Sequence, residues 1–303
     1  MITCPICGNN HIKSVTWFRA DSPVFSGCKR ATCSICDLVF ATPMPSETEL
    51  LAYNTNYFSS AHAGKPSRET TLAFFSGIAR LRLTFVRRYL DRYQIKVDRI
   101  LELGPGLGYF LKSWLEKYPT NTYSVVETDI TCHKSLEDIG AQLVNFTDIT
   151  LSDLVVMSHV LEHVSNPVTF IHSATRGLEP GGVIFIEVPC QDWKYKKLDE
   201  PHVLFFDKKS MRLLLEKSGF DDIEISYYGK PLGDLRSRSW LYDKFMTIRE
   251  KLINLGFVTP FSKMEEGLEG LNSPLERAMV APFWAHRESK EPACWLRVMA
   301  RKL

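Results

Sequence analysis

Arg99-Ile-Leu-Glu102-Leu-Gly104-Pro-Gly106-Leu-Gly108-Tyr109 is the stretch that decides the fold. A short apolar run ends in a turn with glycine at every second position. The apolar pattern that follows, Tyr109 to Lys117, has helical spacing and stops before Pro119. Strand, glycine turn and helix start in that order let a ligand approach the backbone closely at the helix N-terminus. The dinucleotide version of such a turn, G-x-G-x-x-G, would need glycine at 109, where Tyr109 stands. A nicotinamide reading is therefore disfavoured. No Gly-Lys-Ser/Thr follows, so a phosphate loop is absent too. The next strand, Tyr123 to Val126, runs into Glu127, 19 residues after Gly108. A carboxylate there can accept both hydroxyls of a ribose.

Outward from this turn the chain alternates. Strands are predicted at Ala141–Phe146, Asp153–Ser158, Val183–Val188, Ile223–Tyr227 and from Ala293 to Ala300. Helices are predicted at Thr131–Ile139, Val168–Leu178 and Lys208–Ser218, the last closed by Gly219. This alternation argues for an α/β fold, a parallel sheet with helices on both faces. Upstream, Ser46 with Glu49 reads as a capping box, and Leu72 to Tyr93 as a long amphipathic helix. The stretch from Gly229 to Pro292, helical in pattern, is a candidate lid or recognition insertion.

The glycine turn from Glu102 to Gly108 resembles the first motif of class I S-adenosylmethionine (SAM)-dependent methyltransferases. Glu127 matches their ribose-binding acid. Asp153-Leu-Val-Val-Met-Ser158-His159-Val-Leu-Glu-His163 resembles their fourth strand, and Leu178 to Pro189 their fifth. The resemblance covers about residues 97 to 228 and the final strand. It implies a Rossmann-like sheet of seven strands with the last antiparallel, and SAM held by Glu102, Gly104, Gly106, Gly108, Glu127 and Ser158.

Five of the eight cysteines lie in the first 36 residues, two pairs of them with CxxC spacing. Cys4 and Cys7, then Cys33 and Cys36 after 25 intervening residues, read as two knuckles closing a tetrahedral Cys4 site, with zinc as the metal. Gly8 and Asp37 suit the turns. Cys28 and His11 are rival fourth ligands. A region of this size is held folded by its metal. Cys33 to Pro43 and Tyr53 to Ser60 resemble the zinc-binding leader of bacterial methyltransferases, some of which act on nucleotide-linked deoxysugars. Those enzymes carry a segment near "HEH-x-x-x-F" after the fifth strand. Here it reads Asp199-Glu200-Pro201-His202-Val-Leu-Phe205, which keeps one histidine and the phenylalanine.

The domains expected are a ribbon over 1–45, a helical linker or lid over 46–96, and a methyltransferase domain over 97–303 with the insertion near 229–292. His202 is the expected general base, oriented by Glu200, and His159 could face the methyl group. Tyr53, Tyr57 and Phe58 are expected to close over a small-molecule acceptor, a saccharide or nucleotide-linked sugar. Arg80, Arg82, Arg87, Arg88 and Arg92, like Arg236 and Arg238, read as phosphate contacts or as a solvated face. With 37 basic and 35 acidic residues the net charge is +2, which supplies no coat for nucleic acid. No apolar run reaches membrane length. A cytoplasmic location follows by default. An RNA or protein methyltransferase that docks its acceptor on the zinc module, and a cofactor-binding protein without catalysis, are the alternatives.

Overall fold

The computed structural model describes residues 1–55, 69–235 and 288–303, with positions 244, 248, 251–252 and 255–257 between them. Most of the predicted insertion, with Arg236 and Arg238, lies outside the described residues.

Three strands of the N-terminal module, β1 (Ile12–Trp17), β2 (Lys29–Cys33) and β3 (Val39–Thr42), form an antiparallel meander. After them come α1 (Glu47–Asn54) and α2 (Glu69–Tyr93). The capping box is present: the Ser46 hydroxyl accepts from the Glu49 amide and Glu49 accepts from the Ser46 amide.

The main sheet consists of β4 (Arg99–Leu103), β5 (Thr122–Val126), β6 (Gln142–Leu143), β7 (Ser152–Ser158), β8 (Leu178–Pro189), β10 (Phe220–Pro231), β11 (Glu288–Ser289) and β12 (Ala293–Lys302). Its order is β11-β10-β12-β8-β7-β4-β5-β6. The five strands from β6 to β8 pair in parallel, and β12 enters antiparallel between β8 and β10. The expected seven strands are there, and two-residue β11 extends the edge to eight. The third predicted strand is shorter than expected. Its C-terminal half turns at Asn145, whose side chain donates to Asp148, and a single 3-10 turn over Phe146–Asp148 replaces it.

Helices α3 (Tyr109–Lys117), α4 (His133–Ile139), α5 (Pro167–Ala174) and α6 (Lys208–Lys217) cover both faces. Strand residues alternate between two cores, as a period of two requires. Ile100, Val125, Leu154, Val156 and Phe185 pack under α3 and α2. Leu101, Leu103, Val155, Met157 and Ile186 face α5 and α6. The stretch read as a linker or lid thus includes a helix whose Ala79, Leu83, Val86 and Leu90 are buried in a shared core. Three of the five arginines on that helix are paired with carboxylates. Arg80, Arg82 and Arg92 pair with Glu116, Glu187 and Glu224.

The module is built into the domain. A short strand after β8, β9 (Leu204–Phe205), pairs with β3 and completes a four-stranded sheet. Ile6, Phe18, Leu38 and Phe40 share one core with Val203, Phe205 and Met211. Strand order reverses at β4, so the crevice beyond the carboxyl ends of β4, β5, β7 and β8 is the place for a ligand.

Candidate functional site

The glycine turn leaves β4 with three left-handed residues, Gly104 (φ +64°), Gly106 (φ +56°) and Gly108 (φ +76°). Side chains other than glycine are strained there. Two of the three are also crowded: a β-carbon on Gly104 would come within 2.7 Å of Val160, and one on Gly108 within 2.9 Å of Leu136. A β-carbon on Gly106 would meet no atom of the described residues within 4 Å. Toward the described residues that position is bare backbone with room beside it, the cradle a bound nucleoside requires. Glu127 lies at its rim, accepting from the Gly106 amide at 2.8 Å and from the Asp129 amide at 2.9 Å.

Glu102 lies beneath the turn, buried, and accepts the Tyr123 hydroxyl at 2.7 Å. Burial pushes its carboxyl up to about 7, against the opposing effects of Tyr123 and Arg82. Ser158, at the end of β7, has a buried hydroxyl with no hydrogen-bond partner among the described residues. These residues fit SAM: an open cradle at Gly106, an acid at the next strand end, and an orphaned hydroxyl on the facing strand.

A buried polar cluster fills the ends of β7 and β8. His159 has φ +59°, a left-handed backbone unusual for a residue with a side chain, and its side chain is 38% exposed. Its Nδ1 lies 3.2 Å from Glu162 and its Nε2 3.4 Å from Glu187. Burial pulls this imidazole down, but the hydrogen bonds to Glu162 and Glu187 outweigh it and the net shift is upward. Glu187 also receives Arg82 at 2.5 Å and Arg297 at 2.6 Å, and these cations hold its carboxyl well below the usual range despite burial. His163 is pushed down to about 4, first by burial.

His202 is only 5% exposed. Its Nδ1 lies 2.7 Å from Asp192, which also holds Lys196 at 2.8 Å. Burial alone would raise the Asp192 carboxyl, but its interactions with His202 and with the Lys196 ammonium bring it to about 2. The carboxylate that orients His202 is therefore Asp192, which sequence reading missed, and not Glu200. Glu200 instead accepts from the backbone amides of Asp21 and Ser22 in the module. Glu200 in place of the first histidine and Pro201 in place of the glutamate were the sequence signals that the segment departs from its pattern. Asp192 and Glu162 could have been suspected only as acids within a few residues of the two strand ends.

At the module, the Sγ atoms of Cys4 and Cys36 lie 3.5 Å apart, as do those of Cys7 and Cys33. All four sulfurs fall within 4.8 Å of one another. A tetrahedral ion with metal–sulfur bonds of about 2.3 Å sets its ligands about 3.8 Å apart, so the set fits such an ion. The two knuckles repeat each other. The Gly8 amide donates to Cys4 O and the Asp37 amide to Cys33 O, and both residues are left-handed. Cys28, whose thiol donates to Pro43 O, and exposed His11 are not in the set. Tyr53 packs edge-on against Phe25, with ring centroids 5.3 Å apart. Tyr57 and Phe58 lie outside the described residues.

Residues 75–225 match the family model described as a methyltransferase domain. Residues 75–225 are thus a methyltransferase domain, and the protein is a SAM-dependent methyltransferase on an α/β, Rossmann-like fold. Solved structures similar to it include the plantazolicin methyltransferase BpumL with S-adenosylhomocysteine (SAH), at 13% identity, covering 84% of this chain and 96% of that one with a TM-score of 0.48. A Thermotoga maritima SAM-dependent enzyme, described as a possible histamine N-methyltransferase, is 13% identical over 75% of this chain and all of its own, TM-score 0.43. An Archaeoglobus fulgidus SAM-dependent methyltransferase is 17% identical over 72% and 94%, TM-score 0.43. No curated protein matches the chain.

Proposed function

We propose that the protein methylates a small molecule, a saccharide or nucleotide-linked sugar, with neutral His159 receiving the acceptor's proton at Nε2 once the acceptor displaces its 3.4 Å contact to Glu187, and zinc held by Cys4, Cys7, Cys33 and Cys36 as a structural ion. SAM supplies a methyl carbon already made electrophilic by its sulfonium. The chain's own work is to hold the acceptor in line and accept a proton. The observation that carries this reading is the placing of His159. It is the imidazole of the cluster that reaches solvent most, and it directly precedes Val160, the residue packed on Gly104. His202, buried on Asp192, braces the cluster from below in this reading. The sugar class rests on the resemblance of the leader and on the aromatic residues around Tyr53.

The test is an acceptor screen with labelled SAM, followed by His159→Gln and His202→Gln on the best acceptor. His159→Gln should lose on the order of a hundredfold or more in turnover and keep its SAH affinity. Turnover within a few-fold of wild type would remove His159 from the role. Turnover confined to RNA or protein would overturn the small-molecule reading.

A macromolecular acceptor docked on the module is favoured by one observation, Trp17, which is 81% exposed on β1. Against it stands the embedding of the module: β9 pairs with β3, and buried Asp199 holds both Arg19 and Arg30.

A further inference from the structure

We propose that Glu162, His163 and His202 form a site for a divalent transition-metal cation, zinc foremost, separate from the cysteine centre. One ligand atom from each of the three lies within 4.8 Å of the others. The Nε2 atoms of His163 and His202 are each 4.0 Å from the same oxygen, Glu162 Oε1. At that distance neither makes a hydrogen bond to it. The two rings meet edge to face with centroids 4.9 Å apart, so they converge on the carboxylate from different directions. Two histidines and a carboxylate are a donor set of the kind that holds zinc and its first-row neighbours, and three protein ligands leave a coordination position open.

Two further observations point to a cation. Glu162 is 1% exposed, and its second oxygen, Oε2, is buried with no hydrogen-bond partner among the described residues. A half-satisfied buried carboxylate calls for a water or an ion. The second observation concerns His202, whose other nitrogen is held at 2.7 Å by Asp192. A carboxylate on the far nitrogen is the usual support of a metal-bound imidazole: it fixes the tautomer and aims the free nitrogen at the ion. Tetrahedral ligands on zinc stand about 3.3 Å apart, so the 4.0 Å gaps close with side-chain shifts of a few tenths of an ångström. Lys196 is paired with Asp192 at 2.8 Å. His159 stays outside the set as the solvent-facing neighbour. The site stands on these distances and not on the nature of the acceptor.

The test is metal content of the purified full chain, reconstituted with excess zinc and desalted, for wild type, Glu162→Gln and His202→Asn. Each variant should hold one equivalent less per chain than wild type. Its far-UV circular dichroism and SAH affinity should be unchanged, which separates this result from failure of the cofactor site. With cobalt in place of zinc, wild type should show thiolate charge-transfer bands from the cysteine centre plus a weaker nitrogen–oxygen d–d component. Glu162→Gln should lose only the latter. Variants with full metal content would overturn the proposal. If a variant fails to fold, the wild-type cobalt spectrum decides: thiolate-type bands alone would overturn it.

Discussion

Val160 stands over the α-carbon of Gly104, where a β-carbon would come within 2.7 Å of its Cγ2. The glycine turn after β4 and the segment after β7 that carries His159 are thus in direct contact. Anything that pushes the turn outward also moves the histidine side of the crevice.

Gly104→Ala is expected to weaken SAH binding about tenfold and to lower stability by about 1–2 kcal/mol, through strain at φ +64° and the Val160 contact. Gly106→Ala separates the two effects. No atom of the described residues lies within 4 Å of its β-carbon, so among them the loss of stability is limited to left-handed strain of about 1–2 kcal/mol, while the methyl group intrudes on the cradle. Calorimetric titration with SAH and thermal melts check both. Unchanged SAH affinity in Gly106→Ala would mean that the cofactor does not lie on this turn.

Glu127→Ala should weaken SAH by about 1–3 kcal/mol, the scale of a lost charged hydrogen bond. Part of that loss comes from the turn itself, because Glu127 also holds the amides of Gly106 and Asp129. Glu127→Gln, which keeps an acceptor oxygen, should lose less. Equal losses in the two variants would say that the negative charge, and not the acceptor, is what binds.

Glu102 gives a pH dependence of known sign. Its folded pKa, about 7, lies above the unfolded value of about 4.3. Below the unfolded value the carboxyl is neutral in both states and costs nothing. As pH rises from the unfolded value to about 7 the unfolded chain ionises while the folded carboxyl stays protonated, and stability falls by on the order of 3 kcal/mol across that window. Glu102→Gln keeps an acceptor for Tyr123 and removes this fall. It should be more stable than wild type at pH 8 and no more stable at pH 4.5, by denaturant unfolding at both values. An equal difference at the two would refute the assignment.

Asp199 and Glu224 make salt bridges of very different value. Asp199 is fully buried and holds Arg19 at 2.6 Å and Arg30 at 2.8 Å, so Asp199→Ala leaves partly buried cations unpaired and should cost about 3 kcal/mol. Glu224 meets Arg92 at 2.6 Å on the surface, and Glu224→Gln should cost under about 1 kcal/mol. Hydrogen exchange in β1–β3 should rise in the first variant only.

The sequence made the main sheet legible because each strand and helix announces itself locally. The run from Arg99 to Tyr109 contains its own strand, turn and helix start, and Glu127 sits where the next strand ends. The convergence of Cys4, Cys7, Cys33 and Cys36 was readable from spacing alone, down to the left-handed Gly8 and Asp37 beside them. What escaped was contact between distant segments. Nothing near Leu204 or Phe205 says that they pair with Val39 and Phe40, more than 160 residues earlier. Asp192 was missed for a related reason: a 3-10 turn at Asp192–Lys194 folds it back onto a histidine ten residues later. The apparent motif acid, Glu200, lay closer in sequence and proved to serve the module instead.

The pairing of β3 with β9 bears on how the protein can be divided. Removing residues 1–45 would not free an autonomous enzyme. It would strip the partner from Leu204 and Phe205 and bare an apolar edge beside His202. Such an unpaired edge invites strand addition from other chains. A shortened enzyme is therefore expected to be recovered mainly as aggregate, for want of a neighbour at that edge and not for want of a metal.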